Sequence, residues 1–343
     1  MRGWPRLLQS GSLAMTEEGS PRFIVIPRQP TGLSYQTSLR SPPSKLHQIT
    51  VPCPARVIPL IVALLSVCLF TYASEQSDDA YADAIALYQA HNYGEARVAF
   101  QNHVYANPDD ASARHYLGRI AMKRRHTEAA IEHFEKSTQL DPTNSDYFAE
   151  LGEAYGLAAD QASILGQLNF AKKCRAALEQ AVQLAPDNLE ARRGLVDYYR
   201  QAPSFLGGGV MKAYAQAEAI RALDLNLGTL ILGQLYVADH RFAEATTLFQ
   251  ELCAAQPKNY LAHYSIGRIA AESGEQLVLG ELHLQRCLKL IPGKDEPSHA
   301  AVHWRLGNIQ QRQKKPDAAR AAYEKSLQLD PHFARAAKSL ADL

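Results

Sequence analysis

From Glu75 to the C-terminus the chain is periodic: apolar residues recur at helical spacing, and short polar turns break the run. That spacing predicts amphipathic helices rather than strands. Four helical stretches end alike. Phe134 to Pro142, Leu178 to Pro186, Phe249 to Pro257 and Tyr323 to Pro331 each place a bulky residue eight positions ahead of a proline, and Phe100 with Pro108 repeats the interval. Pro108 and Pro142 lie 34 residues apart. A fixed period of this length means stacked units that bury each other's faces.

A register follows when each closing proline is numbered 32. Position 8 is then Ala84, Gly118, Gly152, Val196, Gly233, Gly267 and Gly307, and position 20, with insertions allowed for, is Ala96, Ala130, Cys174, Ala213, Ala245, Gly280 and Ala319. Small residues recur where two antiparallel helices would cross closely. Glycine inside a helix costs about 1 kcal/mol relative to alanine, so its return implies a packing gain. Bulky residues surround the crossing: Leu117, Leu151, Leu195, Leu232, Ile266 and Leu306 at position 7, and Phe100, Phe134, Leu178, Phe249, Leu284 and Tyr323 at position 24. The proline stops each second helix.

With this period and register, residues 75–343 resemble the tetratricopeptide repeat family. Within that family the pair of insertions described below is similar to a subgroup of bacterial exported proteins of no assigned function. The resemblance implies an all-α fold: a right-handed superhelical solenoid of about seven helix-turn-helix units. These fall at about 77–110, 111–144, 145–188, 189–225, 226–259, 260–294 and 300–333, and the apolar stretch 334–343 forms a C-terminal capping helix. It also implies a concave face built from the first helices. Placed on this chain, the family's concave positions are Tyr81, Ile85 and Tyr88 in the first unit, and His115, Arg119 and Lys123 in the second. Arg193, Asp197 and Arg200 follow in the fourth, Tyr264 and Arg268 in the sixth, and Trp304, Asn308 and Arg312 in the seventh. Aromatics and arginines dominate protein interfaces, and guanidinium forks match carboxylates. The competing reading is that these are solvated faces of ordinary amphipathic helices. The family's chaperone-tail clamp is not reproduced. His115 and Arg119 stand where it has Lys and Asn, and Glu150 stands where it has a further Asn.

Two units carry insertions. The third has ten extra residues between its helices, including Ile164, Leu165, Leu168 and Phe170. This apolar surplus either lengthens the helices and packs on the fourth unit or meets a partner. The fourth carries Gln201 to Gly209, ending in three glycines.

Upstream of the repeats the pattern changes. Residues 1–56 hold seven Lys/Arg against two acids, a balance of +5, with eight prolines and no period. Such a segment reads as a disordered basic leader. Val57 to Ala73 is an uncharged run, followed by Ser74. Three readings stand: a signal peptide cut near 73–74, a retained membrane anchor, or a buried core segment. The leader is long for a signal peptide, which points to a misassigned start residue or a transit peptide. Without residues 1–74 the charge changes from +1 to −4, as 29 bases face 33 acids. That balance argues against nucleic acid as a partner.

Candidate chemistry is sparse. His299 and His303 lie four apart on one helix, without the glutamate of HExxH or an evident third ligand. Gly207 to Gly209 precede a helix but match no phosphate-binding motif, and they read as a flexible connector. Cys253 and Cys287 fall near positions 28 and 27 of consecutive second helices, where a disulfide is conceivable but the helix spacing is unfavourable. Cys174 takes a small-residue core position. No metal set, cofactor or catalytic residue is expected, and no block of about 100 residues is left for a catalytic domain. The expected function is a non-catalytic protein-protein interaction scaffold of the cell envelope, exported to the periplasm, with a protein or peptide partner in the concave groove. The alternative is a membrane-anchored accessory subunit of an envelope enzyme or transport complex, touching the membrane only through residues 57–73.

Overall fold

The computed structural model describes residues 79–343. The expected leader 1–56, the apolar run 57–74 and residues 75–78 lie outside the described residues. The described part falls into two compact bodies, 79–142 and 143–343, and every regular element in them is helical.

The first body holds two antiparallel helix pairs: α1 (79–89) with α2 (Tyr93–Ala106), and α3 (Ala111–Lys123) with α4 (Thr127–Leu140). The second body holds five. These are α5 (Ser145–Gln161) with α6 (Ile164–Leu184), α7 (Leu189–Gln201) with α8 (Val210–Leu223), α9 (Leu225–Ala238) with α10 (Phe242–Ala255), α11 (Tyr260–Ser273) with α12 (Leu277–Cys287), and α13 (His299–Arg312) with α14 (Pro316–Leu329). α15 (Ala334–Ala341) closes the chain. The seven pairs and the cap follow the sequence register, with prolines 142, 186, 257 and 331 each two residues beyond a helix end.

The close crossings are where the small residues predicted them. A Cβ on Gly118 would stand 2.5 Å from the Phe134 ring, on Gly233 2.4 Å from Phe249, on Gly267 2.2 Å from Leu284, and on Gly307 2.3 Å from Tyr323. Position 8 is thus glycine because position 24 fills its Cβ site. The fourth unit reverses the sizes: Val196 stands at position 8 and Ala217 at position 24, both buried.

Starting and stopping the helices follows a second rule. First helices begin on an Asp, Asn or Ser whose side chain accepts a backbone N–H one turn in, as Asp110 does from Ala113, Asn188 from Ala191 and Asn259 from Ala262. Second helices show no side-chain cap. Five of them start from a turn containing a left-handed non-glycine residue, since His91, Arg125, His240, Gln276 and Lys314 all have positive φ, while α6 follows the extended Ala162 and Ser163.

The insertions resolve differently from each other. In the third unit the surplus becomes helix, giving α5 17 residues and α6 21. Ile164 and Leu165, on the first turn of α6, remain 72% and 82% exposed, so the surplus lengthens the helices without those two packing. In the fourth unit the glycine segment is a pinned turn rather than a flexible connector. Tyr198 Oη and Arg175 Nη1 both donate to Leu206 O at 2.9 Å. The amides of Gly207, Gly208 and Gly209 donate to Ser204 O, Pro203 O and Tyr199 O. Occupied amides cannot cradle a phosphate, which closes that reading.

Candidate functional site

In the body 79–142 the first-helix residues form an aromatic cluster. Tyr81 Oη is 2.6 Å from Ser112 Oγ, and its ring meets Phe100 edge-on. Tyr88 packs edge-on to Tyr116, and the Arg119 guanidinium lies 5.1 Å from the Tyr88 ring centre and 5.8 Å from that of Tyr116. Ile85 packs against the same core, and Lys123 is exposed. His115 departs from expectation. It is buried against the Phe134 ring and belongs to the core, not to a binding face.

In the body 143–343 the expected residues split. Arg193 stands beside Glu190 at 3.3 Å. Asp197 is partly buried, and loss of water pushes its carboxyl up to about 7 against the pull of Arg193. Arg200 Nη2 donates to Asp239 Oδ1 at 2.9 Å, and Tyr214 Oη donates to the other oxygen at 2.9 Å. Tyr264 is 3% exposed and sits in the core, so it offers nothing to a partner. Trp304 is covered by the cap: its Nε1 donates to Ser339 Oγ and its ring meets Phe333 edge-on. The family positions assume the next unit's first helix beside each residue, and here α15 takes that place over Trp304.

The remaining expected residues converge. Between α11 and α13 lies an open cleft of about 550 Å³ lined by Ala271, Glu272, Arg305, Asn308, Gln311 and Arg312. Glu272 is its hub. Arg305 Nη2 reaches Glu272 Oε1 at 2.9 Å, Arg268 Nη1 reaches Oε2 at 3.8 Å, and Arg312 Nη2 donates to the Glu272 backbone oxygen at 2.9 Å. Two guanidinium groups thus meet one carboxylate, and a third holds the backbone oxygen of the same residue. Burial holds Arg268 below the usual arginine range, and Glu272 opposes this. Arg268 Nε and Arg305 Nε are buried without a hydrogen-bond partner among the described residues. Asn308 Oδ1 accepts from Tyr323 Oη at 2.9 Å. Sequence reading found Arg268, Asn308 and Arg312 but missed Glu272 and Arg305. The signal was present: Arg268 and Glu272 are four apart on one helix.

A second cluster was also missed. Cys253 of α10, His263 of α11 and His283 of α12 are all buried, and their Sγ and ring nitrogens lie within 4.8 Å of one another. Burial, His263 and Arg286 together push His283 down to about 4. Burial pushes Cys253 up to about 11, with Arg286 opposing. The three cysteines 174, 253 and 287 are free thiols, so the conceivable 253–287 disulfide is not formed. Cys287 Sγ instead faces Tyr260 O at 3.6 Å. His299 is engaged through Nε2 with Leu290 O at 2.9 Å, and among the described residues neither it nor His303 belongs to a cluster of three potential ligands.

Repeated antiparallel helix pairs with small residues at each crossing define a helical-hairpin repeat protein. A family model described as tetratricopeptide repeat matches residues 81–145 and 231–276, and a second with that description matches 300–333. Among solved structures the fold is similar to a tetratricopeptide repeat protein from Parabacteroides merdae, with 12% identity, 77% of this chain and 97% of that chain covered, and a TM-score of 0.50. It is also similar to the C-terminal part of a repeat-containing protein from Cytophaga hutchinsonii, with 18% identity, coverage of 76% and 99%, and a TM-score of 0.53. The chain thus carries tetratricopeptide repeats at the matched residues, on a fold of the same kind. Among the described residues, no helix is long and apolar enough to cross a membrane.

Proposed function

We propose that this protein is a non-catalytic scaffold that holds an acidic segment of a protein partner in the α11–α13 cleft. The observation behind this reading is the cleft's charge: Arg305 and Arg312 line it with a single acid, Glu272, Arg268 lies beside that acid, and the Nε donors of Arg268 and Arg305 are buried without hydrogen-bond partners among the described residues. A carboxylate entering the cleft would meet forked donors and restore charge balance. The apolar run 57–73, with small residues Thr71 and Ala73 ahead of Ser74, is the basis for placing the protein outside the cytoplasm, an inference that N-terminal sequencing of the native protein checks. Binding of labelled acidic, neutral and basic peptides to the purified chain tests the cleft. Acidic peptides are expected to bind, more weakly as salt rises. Arg312→Glu, at an exposed position, is expected to weaken them roughly tenfold or more. Equal binding of acidic and basic peptides, or no change in the variant, would sink the reading.

A further inference from the structure

The α10, α11 and α12 helices bring three metal-ligand atoms together in the core of the second body. His263 Nδ1 lies 2.8 Å from His283 Nδ1 and 3.4 Å from Cys253 Sγ. The close packing of α11 on α12 explains the histidine pair. Gly267 leaves room for Leu284 and Gly280 for Ala270, whose Cβ would stand 2.3 Å from any Cβ added at 280, so these helices pack tightly. In an antiparallel pair, residues one turn before Gly267 and one turn after Gly280 face each other, and these are His263 and His283. Cys253 comes from the preceding hairpin, one turn beyond Phe249.

The outer partner of His263 decides which nitrogen faces inward. Its Nε2 lies 3.0 Å from Pro257 O. A carbonyl oxygen only accepts, so Nε2 carries the proton and the Nδ1 lone pair points at the cluster. A carbonyl holding the far N–H of an imidazole is the arrangement that orients histidine ligands in metal sites. Three inward donors, two imidazole nitrogens and one thiol, form a set suited to a thiophilic transition ion. Zinc bonds of about 2.0–2.1 Å to nitrogen and 2.3 Å to sulfur place tetrahedral ligand atoms roughly 3.3–3.6 Å apart. The Sγ–Nδ1 separation already matches, and the two imidazoles need to part by about half an ångström.

We propose that Cys253, His263 and His283 form a buried binding site for a thiophilic transition-metal ion, with Zn²⁺ the ion the donor set fits best. On binding, the Cys253 thiol gives its proton to solvent, and the His283 proton moves from Nδ1 to Nε2. One sulfur and two nitrogen lone pairs then bond the ion, and no electron is transferred. Three protein ligands leave a tetrahedral ion one further position. The ion would tie α10 to the α11–α12 pair, coupling metal to stability.

The test uses the full chain purified without a polyhistidine tag. Dialysis against Zn²⁺ followed by elemental analysis is expected to find one equivalent per chain. Co²⁺ in its place is expected to give a thiolate-to-metal charge-transfer band. Cys253→Ser is expected to abolish the band and weaken Zn²⁺ binding roughly 100-fold or more. Cys287→Ser, which changes a buried thiol outside the set, is expected to keep both. If Cys253→Ser does not fold, the Cys174→Ser/Cys287→Ser double variant decides, because it must retain the band. A parallel Cu⁺ titration distinguishes the two soft ions, and tighter Cu⁺ than Zn²⁺ binding corrected for free-ion levels would overturn the assignment to zinc. A substoichiometric wild type, or a Cys253→Ser variant that keeps the band, would overturn the site itself.

Discussion

The α7–α8 and α11–α12 hairpins occupy the same register and use it for different ends. In both, the residues at positions 4 and 23 meet across the pair. In α7–α8 these are Arg192 and Gln216, with Arg192 Nη1 donating to Gln216 Oε1 at 2.7 Å. In α11–α12 they are His263 and His283, at 2.8 Å. Position 28 of the preceding second helix is Val182 for the first pair and Cys253 for the second. The crossings differ as well. Val196, Ala213 and Ala217 stand at positions 8, 20 and 24 of one, and Gly267, Gly280 and Leu284 at those of the other. The repeat is therefore a frame of fixed slots. One slot pair is an Arg–Gln hydrogen bond in one hairpin and a close pair of imidazole nitrogens in another.

The largest way to break this comparison is to change a crossing. A methyl group on Gly267 would overlap Leu284 Cγ at 2.2 Å, so Gly267→Ala is expected to cost about 2–3 kcal/mol in urea unfolding. It should also part His263 from His283 and weaken metal binding. Gly94 is the control, because nothing lies within 4 Å of its added Cβ, and alanine there is expected to be neutral or slightly stabilising. A Gly267→Ala cost no larger than that of Gly94→Ala would mean that tight crossing does not hold this hairpin.

Most of this frame was legible in the sequence because it repeats. Six copies of a small residue facing a bulky one identify each other, so the helix pairs, the cap and the position-8 glycines could be read from the sequence. The slots that occur once could not. Tyr264 and His115 fall on family binding positions, yet here they are buried, since a helical period says which face a residue is on but not what covers that face. Glu272 was overlooked because its importance lies in partners 33 and 40 residues away, Arg305 and Arg312. The Cys253–His263–His283 cluster spans three helices, and no local motif announces it. Only the antiparallel pairing, which sets residues around 263 opposite those around 283, would have raised it.

A second test compares position 9, which holds Asp197 in α7 and Arg268 in α11. Burial disfavours the charged form in both. Asp197 titrates near 7 when folded and near 4 when unfolded. The folded state then holds the proton more tightly. Its stabilising contribution is fully present below about pH 4 and is lost as pH rises through about 7. Stability of the wild type should fall across that window by on the order of 4 kcal/mol from this group, and Asp197→Asn should flatten the fall. Arg268 stays charged throughout, so Arg268→Gln should leave the pH profile unchanged in shape. Denaturant midpoints from pH 4 to 8 measure both.

The smallest expected effect concerns how the two hairpins turn. The α7–α8 turn places its left-handed residue on Gly207, with φ of 85°, whereas the α11–α12 turn holds both Gly274 at 82° and Gln276 at 48°. A left-handed conformation costs a residue with a Cβ about 1–2 kcal/mol, while glycine adopts it freely but loses more freedom on folding. The difference favours glycine modestly, so Gln276→Gly is expected to stabilise by roughly 0.5 kcal/mol. His91, Arg125, His240 and Lys314 carry the same conformation in four other hairpins, so Lys314→Gly should gain a similar amount. Gly207→Ala should lose stability, because its Cβ would also run into the Arg175 side chain that holds Leu206 O. Thermal unfolding of the three variants side by side separates the cases. A gain at Gln276 and Lys314 together with a loss at Gly207 would show that the turns, like the crossings, are slots whose occupant can be exchanged only where the backbone angle permits it.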